Sequence, residues 1–185
     1  MKKTSFLKEF LTRKNQVGAV APSSKYLTKK MLGGLELVNA DVVIELGPGT
    51  GVFTERLLEL IGPKTTLLVI EINETFYENL KTQIKDPRAI IVKGSATDLD
   101  LYLKQIDKKE ADIIISSLPL AVLPKTLRNR IVFSAKNILK TGGLYVQFQY
   151  SLHSIRILKR VFNSVKIKHC TLNIPPAFVY TCTKK

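Results

Sequence analysis

The chain has 185 residues, 45% of them hydrophobic, which suits one domain with a sizeable core and excludes a disordered chain. It has no run of about 18 apolar residues, so no spanning helix is expected, and Lys8 and Glu9 break any signal-peptide stretch, so a cytosolic chain is expected. Its 29 basic and 15 acidic side chains give a net charge of +14, a field that attracts nucleic acid or an anionic membrane surface, or is simply a basic soluble surface.

Residues 1–40 fall outside the pattern that follows and are expected to form N-terminal amphipathic helices covering a domain of residues 41–185. Thr4 or Ser5 is placed to cap a first helix. Phe6, Leu7, Phe10 and Leu11 then form one apolar stripe, flanked by Lys2, Lys3, Lys8, Arg13 and Lys14. Such a helix suits a membrane interface, or docks on the rest of the domain. A small-residue loop, residues 18–24, offers Ser23 or Ser24 as the next cap. The following helix carries Tyr26, Leu27, Met31 and Leu32 beside Lys25, Lys29 and Lys30.

From Val42 onward strand and helix patterns alternate. That alternation predicts a mostly parallel sheet with helices on both faces. Strands are expected at 42–46, 65–71, 89–93, 112–117, 144–150, 164–172 and 178–183. Helical faces are carried by Phe53, Leu57, Leu58 and Ile61, by Phe76, Leu80 and Ile84, and by Leu127, Ile131, Ala135 and Leu139. Pro124 suits the first turn of that last helix, and Gly142-Gly143 is expected to end it. A short helix is expected within 151–162. The final two strands are joined by Asn173-Ile-Pro-Pro176 without a helix, which predicts an antiparallel pair at the end of the sheet. Cys170 and Cys182 lack metal-ligand spacing and are expected to stay reduced.

Ligands of such a sheet bind beyond the carboxyl ends of its strands, and four segments should meet there. The first is Glu45-Leu-Gly-Pro-Gly-Thr-Gly51, between a strand and a helix. Gly47, Gly49 and Gly51 permit positive φ and close backbone approach. An acidic residue ahead of the first glycine would repel a pyrophosphate and suits a cationic ligand. The spacing resembles motif I of class I methyltransferases, which hold S-adenosylmethionine, and assigns Glu45, Leu46, Gly47, Gly49, Thr50 and Gly51 to cofactor binding.

The second segment ends in Glu71, 24 residues after Gly47, where a carboxylate can accept from ribose hydroxyls, with Ile72 packing on adenine. The third is Gly94-Ser95-Ala96. Class I enzymes often carry an acidic residue there for the adenine amino group. Ser95 stands in its place, and Asp98 either substitutes or caps the next helix. The fourth is Ser116-Ser-Leu-Pro-Leu120, where amino-methylating enzymes grip their acceptor. Nucleic-acid methyltransferases have an aromatic residue at the position of Leu120, and a flipped base would lose a stacking platform worth roughly 1–3 kcal/mol.

The chain also resembles bacterial phospholipid N-methyltransferases. The resemblance is carried by residues 17–24 (Val-Gly-Ala-Val-Ala-Pro-Ser-Ser), 43–54 (Val-Ile-Glu-Leu-Gly-Pro-Gly-Thr-Gly-Val-Phe-Thr), 116–120 (Ser-Ser-Leu-Pro-Leu), 146–151 (Val-Gln-Phe-Gln-Tyr-Ser) and 173–177 (Asn-Ile-Pro-Pro-Ala). It implies a Rossmann-like class I methyltransferase fold: a seven-stranded, mostly parallel sheet with an antiparallel last strand, helices on both faces and extra N-terminal helices. It implies S-adenosylmethionine as cofactor and S-adenosylhomocysteine as product. The expected acceptor is the amine of phosphatidylethanolamine, methylated once or successively toward phosphatidylcholine, at the inner face of the membrane.

Tyr26, Ser117, Leu118 and Tyr150 are the candidate catalytic residues, Ser117 and the Leu118 carbonyl as orienters of the amine. The two tyrosines either line the acceptor site or simply pack. Lys25, Lys29, Lys30 and Arg128 are candidates for lipid phosphate or are solvated helix faces. His153 and His169 are not obvious bases. Anionic lipids are the expected partners of a monomer, with no stable nucleic acid and no metal. The fold is shared with rRNA adenine dimethyltransferases, which usually append a C-terminal RNA-binding domain, and the chain ends just past its last expected strand. A nucleic-acid amino-methyltransferase and a non-catalytic cofactor-binding module are the competing readings.

Overall fold

A computed structural model describes residues 25–185. The expected helix with the Phe6/Leu7/Phe10/Leu11 stripe and the Ser23/Ser24 cap lie outside the described residues. The described residues begin with α1 (Lys25–Leu32) and a 3-10 turn (Leu37–Asn39). Strand and helix then alternate: β1 (Val42–Leu46), α2 (Val52–Leu60), β2 (Thr66–Glu71), α3 (Glu74–Gln83), β3 (Ala89–Lys93), α4 (Leu99–Gln105), β4 (Ala111–Ser116), α5 (Lys125–Ile138), β5 (Leu139–Gln149) and α6 (Ile155–Val161). An antiparallel pair, β6 (Ser164–Cys170) and β7 (Ala177–Thr183), completes the chain.

The seven strands form one sheet in the order β3-β2-β1-β4-β5-β7-β6. β1 to β5 run parallel, and β7 runs antiparallel to both neighbours. The chain leaves β1 toward β2 and β3, then returns to place β4 on the other side of β1. Strand order therefore reverses between β1 and β4, where an open sheet leaves a crevice.

Both faces of the sheet are covered, so β1 is buried along its whole length. On one face Leu99, Leu103, Ile131, Val132 and Leu158, from α4, α5 and α6, pack against Ile44, Leu68 and Ile114. On the other, Leu27, Met31 and Leu32 of α1 join Phe53 and Leu57 of α2 against Val43, Val69 and Ile115. Asn73 caps α3 by accepting the Phe76 N–H at 3.1 Å. The edge strand β6 exposes Lys166 and Lys168, which discourages pairing with another sheet.

One sequence expectation is corrected here. Gly142-Gly143 does not end α5, which stops at Ile138. The glycines lie inside β5, where the pairing with β4 shifts register and Gly142 has φ +80°. Positive φ at a bulge draws glycine as strongly as a helix end does. Both cysteines are buried and unpaired. No helix among the described residues is long and apolar enough to cross a membrane.

Candidate active site

The carboxyl ends of β1, β2, β3 and β4 lie along one edge of the sheet. After β1 the chain turns through Gly47 (φ +70°), Gly49 (φ +60°) and Gly51 (φ +85°) into α2. The turn is held by Gly51 N donating to Pro48 O (3.1 Å) and Gly47 N donating to Ile70 O (3.0 Å). A Cβ on Gly47 would stand 2.7 Å from Leu118 Cδ2, so this loop packs directly on the loop after β4. A Cβ on Gly49 would meet nothing within 4 Å among the described residues, and Thr50 is exposed. The turn thus presents backbone to open space.

Two carboxylates stand behind it. Glu45 is fully buried; its Oε2 accepts the Thr54 hydroxyl at 2.6 Å and its Oε1 is buried with no partner. Desolvation pushes Glu45 up to about 8, against the lowering effect of the Thr54 bond and with a further rise from the charge of Glu71. A buried carboxylate with one open oxygen suits a cationic ligand group. Glu71 ends β2, with Oε2 accepting Gly49 N at 3.2 Å and Oε1 accepting Asn73 N at 2.8 Å. Each carboxylate oxygen can accept a second donor. Ile72 beside it is half-exposed.

Ser95 and Ala96 follow β3. The Ser95 hydroxyl bonds Thr97 Oγ1 (2.9 Å) and accepts the Thr97 N–H (3.3 Å), while Ser95 N donates to the Tyr102 hydroxyl (3.0 Å). The Ser95 side chain is therefore committed to a local turn. Asp98 stands at the N-cap of α4 without a side-chain cap bond and accepts the Thr97 hydroxyl at 2.8 Å.

Ser116 ends β4, fully buried, and Ser117 N bonds Leu46 O at 2.9 Å, joining this loop to β1. The Ser117 hydroxyl oxygen is buried with no partner. The Leu118 carbonyl accepts from Gln147 Nε2 at 2.9 Å, from Gln149 Nε2 at 2.8 Å and from the Leu120 N–H at 2.9 Å. Both lone pairs are taken, so the expectation that this carbonyl orients an amine is corrected. Leu118 contributes its side chain, over Gly47. Leu120 is fully buried in the core.

Gln147 and Gln149 were missed in the sequence. They sit two apart on one face of β5, the face that also carries Tyr145. The Tyr145 hydroxyl donates to Gln147 Oε1 at 2.6 Å, and Gln149 Oε1 accepts Ala121 N at 3.2 Å. Gln149 thus grips the β4–α5 loop at both ends of Leu118-Pro-Leu120. Two polar side chains at alternate positions of an otherwise apolar strand were the available signal, because buried amides require partners. Thr54 was also missed as the partner of Glu45.

Tyr150 follows β5, half-exposed, edge-on to Phe148 with ring centroids 5.7 Å apart. Partial burial raises its phenol above the usual range, and a hydrogen bond with Asn173 pulls it partly back. Tyr26 lies apart from these residues. It lines a cavity of about 440 Å³ with Lys29, Lys30, Lys168, His169 and Leu172. A larger cavity of about 990 Å³, between α1 and α2, contains none of the strand-end residues. His153 is exposed, with Nδ1 3.1 Å from Ser151 Oγ, and His169 stacks on Phe178. No cluster of metal-binding side chains occurs among the described residues.

A family model described as ribosomal RNA adenine dimethylase matches residues 2–152. Ornithine lipid N-methyltransferase of Singulisphaera acidiphila is 29% identical over 179 residues, which cover 96% of this chain and 93% of that protein. Ribosomal RNA small subunit methyltransferase A of Ureaplasma urealyticum is 32% identical over 108 residues, 55% of this chain but only 37% of that protein's length. Among solved structures, the N-methyltransferase NodS from Bradyrhizobium japonicum in complex with S-adenosylhomocysteine superposes with a TM-score of 0.68 at 15% identity, covering 86% of this chain and 88% of that one. That likeness speaks for the fold.

Proposed function

The chain belongs to the ribosomal RNA adenine dimethylase family and is an S-adenosylmethionine-dependent methyltransferase, and we propose that its acceptor is the amine of a membrane aminolipid rather than a nucleobase. Phosphatidylethanolamine and an ornithine lipid are the two acceptors in view. The reaction takes place at the cytoplasmic surface of the membrane.

The observation that carries this reading is Leu120. It occupies the place where an extruded base would need an exposed ring, and it is an aliphatic side chain sunk in the core. An alkyl amine needs no such platform. The lipid-methylating relative supports the same reading, because it aligns along nearly its whole length while the ribosomal RNA relatives align over about half of theirs at most.

S-adenosylmethionine, when bound, supplies a methyl group already activated by its sulfonium. The unpaired Glu45 oxygen would take the cofactor ammonium, and the Glu71 carboxylate, at the end of β2, would accept from ribose hydroxyls. The half-exposed Ile72 would pack on the adenine, and the backbone at Gly49 would lie beside the cofactor. On the acceptor side the Ser117 hydroxyl accepts from the amine and turns its lone pair toward the reacting methyl. Leu118 keeps water away from that contact. The amine enters neutral, having lost its proton to solvent, which the low-dielectric wall favours. The Tyr150 ring holds a methylated ammonium by cation–π attraction.

Methyl transfer from labelled S-adenosylmethionine tests the reading. Vesicles of phosphatidylethanolamine with an anionic lipid, vesicles with an ornithine lipid and ribosomal RNA are offered in parallel, with Glu45→Ala as control. Label in lipid, lost in the variant, is the expected result, and it also names the lipid. Label in RNA overturns the acceptor and keeps the fold.

A further inference from the structure

From Ile113 to Lys185 the chain carries twelve basic side chains and no acidic one, whereas residues 1–112 carry seventeen basic and fifteen acidic. The division falls inside β4. The cofactor half, with Glu45 and Glu71, is therefore close to neutral. Nearly all the net charge resides in the half built from α5, β5, α6, β6 and β7.

This basic half also exposes aliphatic side chains along one edge. β6 is antiparallel to β7 and β7 to β5, so β6 runs parallel to β4 and β5. The loops after β4, β5 and β6 consequently emerge on the edge that carries Gly47–Gly51. They expose Val122, Leu152, Leu172 and Ile174, with Ile174 88% and Leu172 64% accessible. The loops support one another: Gln149 bonds Ala121 N, and the Tyr180 hydroxyl donates to Ser151 O at 3.1 Å. Beside Leu172 lies the cavity lined by Tyr26, Lys29, Lys30 and Lys168.

We propose that this edge is the membrane-docking surface: Leu172 and Ile174 enter the acyl boundary of an anionic bilayer while Lys29, Lys30 and Lys168 hold lipid phosphates in the adjoining cavity. Cations beside exposed aliphatic groups match a bilayer, which offers phosphate and an apolar phase within a few ångströms of each other. Nucleic acid offers phosphate without the apolar phase. Docked in this way, the edge that carries the loops after β4 and β5, with Ser117 and Tyr150, faces the headgroups. The inference rests on the aminolipid reading for the role of that edge, and its test does not.

The full-length chain is sedimented with vesicles of phosphatidylcholine alone and of phosphatidylcholine with phosphatidylglycerol. Neither lipid has a primary amine, so docking is read without methyl transfer. The double variant Leu172→Asp/Ile174→Asp is expected to bind mixed vesicles about tenfold or more weakly. Val38→Asp, also exposed but at the opposite edge, changes binding less than about twofold on the same scale. Lys29→Gln/Lys30→Gln/Lys168→Gln should remove the preference for anionic vesicles. S-adenosylhomocysteine affinity, measured by calorimetry, stays at the wild-type value in each variant and reports an intact fold. The proposal is overturned if the double variant sediments like wild type. It is equally overturned if ribosomal RNA displaces the wild-type chain from vesicles and binds the double variant undiminished, or if the double variant merely dissociates a dimer seen by sedimentation velocity. Failure to methylate any aminolipid, with docking retained, would overturn the acceptor alone.

Discussion

The Thr54 hydroxyl donates to one oxygen of Glu45 at 2.6 Å and leaves the other buried without a partner. Burial, the largest influence, takes the carboxyl from 4.5 to about 8. The folded chain then holds this proton more tightly than the unfolded chain does, so the stability of the cofactor-free protein falls as pH rises from about 4.5 toward 8. A bound ammonium reverses the preference and favours the carboxylate. Binding of S-adenosylhomocysteine near neutral pH should therefore release a proton. Calorimetry in two buffers of different ionisation enthalpy measures the release. Glu45→Gln should abolish the release and weaken binding, and its apparent stability should lose this part of the pH dependence. Equal heats in both buffers for the wild type would count against Glu45 as the ammonium's partner.

Gly47 and Gly49 share a left-handed backbone but differ in what surrounds them. Alanine at either site meets a backbone cost of roughly 1–2 kcal/mol. At Gly47 the new methyl also strikes Leu118, whereas at Gly49 it projects into open space. Gly47→Ala should therefore lower the melting temperature more. Gly49→Ala should lower cofactor affinity out of proportion to its effect on stability. Thermal denaturation with and without S-adenosylhomocysteine separates the two, and equal ligand-induced shifts for both variants would contradict the assignment.

Ser117 predicts a stability–activity trade. Its hydroxyl is buried with no partner in the cofactor-free protein, so Ser117→Ala should be neutral or stabilising by up to about 1 kcal/mol. The same change removes the proposed acceptor for the amine. Methyl transfer to aminolipid should fall roughly tenfold, the scale of one lost hydrogen bond, while cofactor affinity holds. Loss of cofactor affinity instead would move Ser117 to the cofactor side.

Gln149 holds the acceptor loop through Leu118 O and Ala121 N. Gln149→Leu leaves Ala121 N without that partner, at a cost of about 1–3 kcal/mol. Because Gln147 still holds Leu118 O, the loop loosens rather than collapses. The expected signature is a lower kcat with cofactor affinity close to wild type. A change in stability with unchanged kcat would restrict Gln149 to a structural role.

Much of the cofactor side was legible because its signals are local. Val42–Ile44 is an apolar run that leads through Glu45 into a glycine turn, and Glu71 ends the next such run, so strand, turn and carboxylate could all be placed from neighbours in sequence. The acceptor side was less legible because its partners are distant. Nothing near Leu118 announces that its carbonyl is also held by side-chain amides 29 and 31 positions later. Ser95 was read for an adenine contact, and its commitment to Thr97 depends on a turn geometry that residue type alone does not specify. Gly142 misled for a related reason, since the same positive φ serves a helix end and a strand bulge.

The β1–β4 pairing sets Glu45 beside Ile115, seventy residues further along the chain. A fragment ending before β4 would retain all three glycines and both glutamates yet lack the wall formed by Ser117 and Leu118. Closing that long crossover costs chain entropy before it returns any contact. The cleft is consequently incomplete until β4 has paired with β1, and a ligand that spans it selects chains in which that pairing has formed. Its binding energy should then slow hydrogen exchange at Leu46 and Ser117 through global opening rather than local fraying.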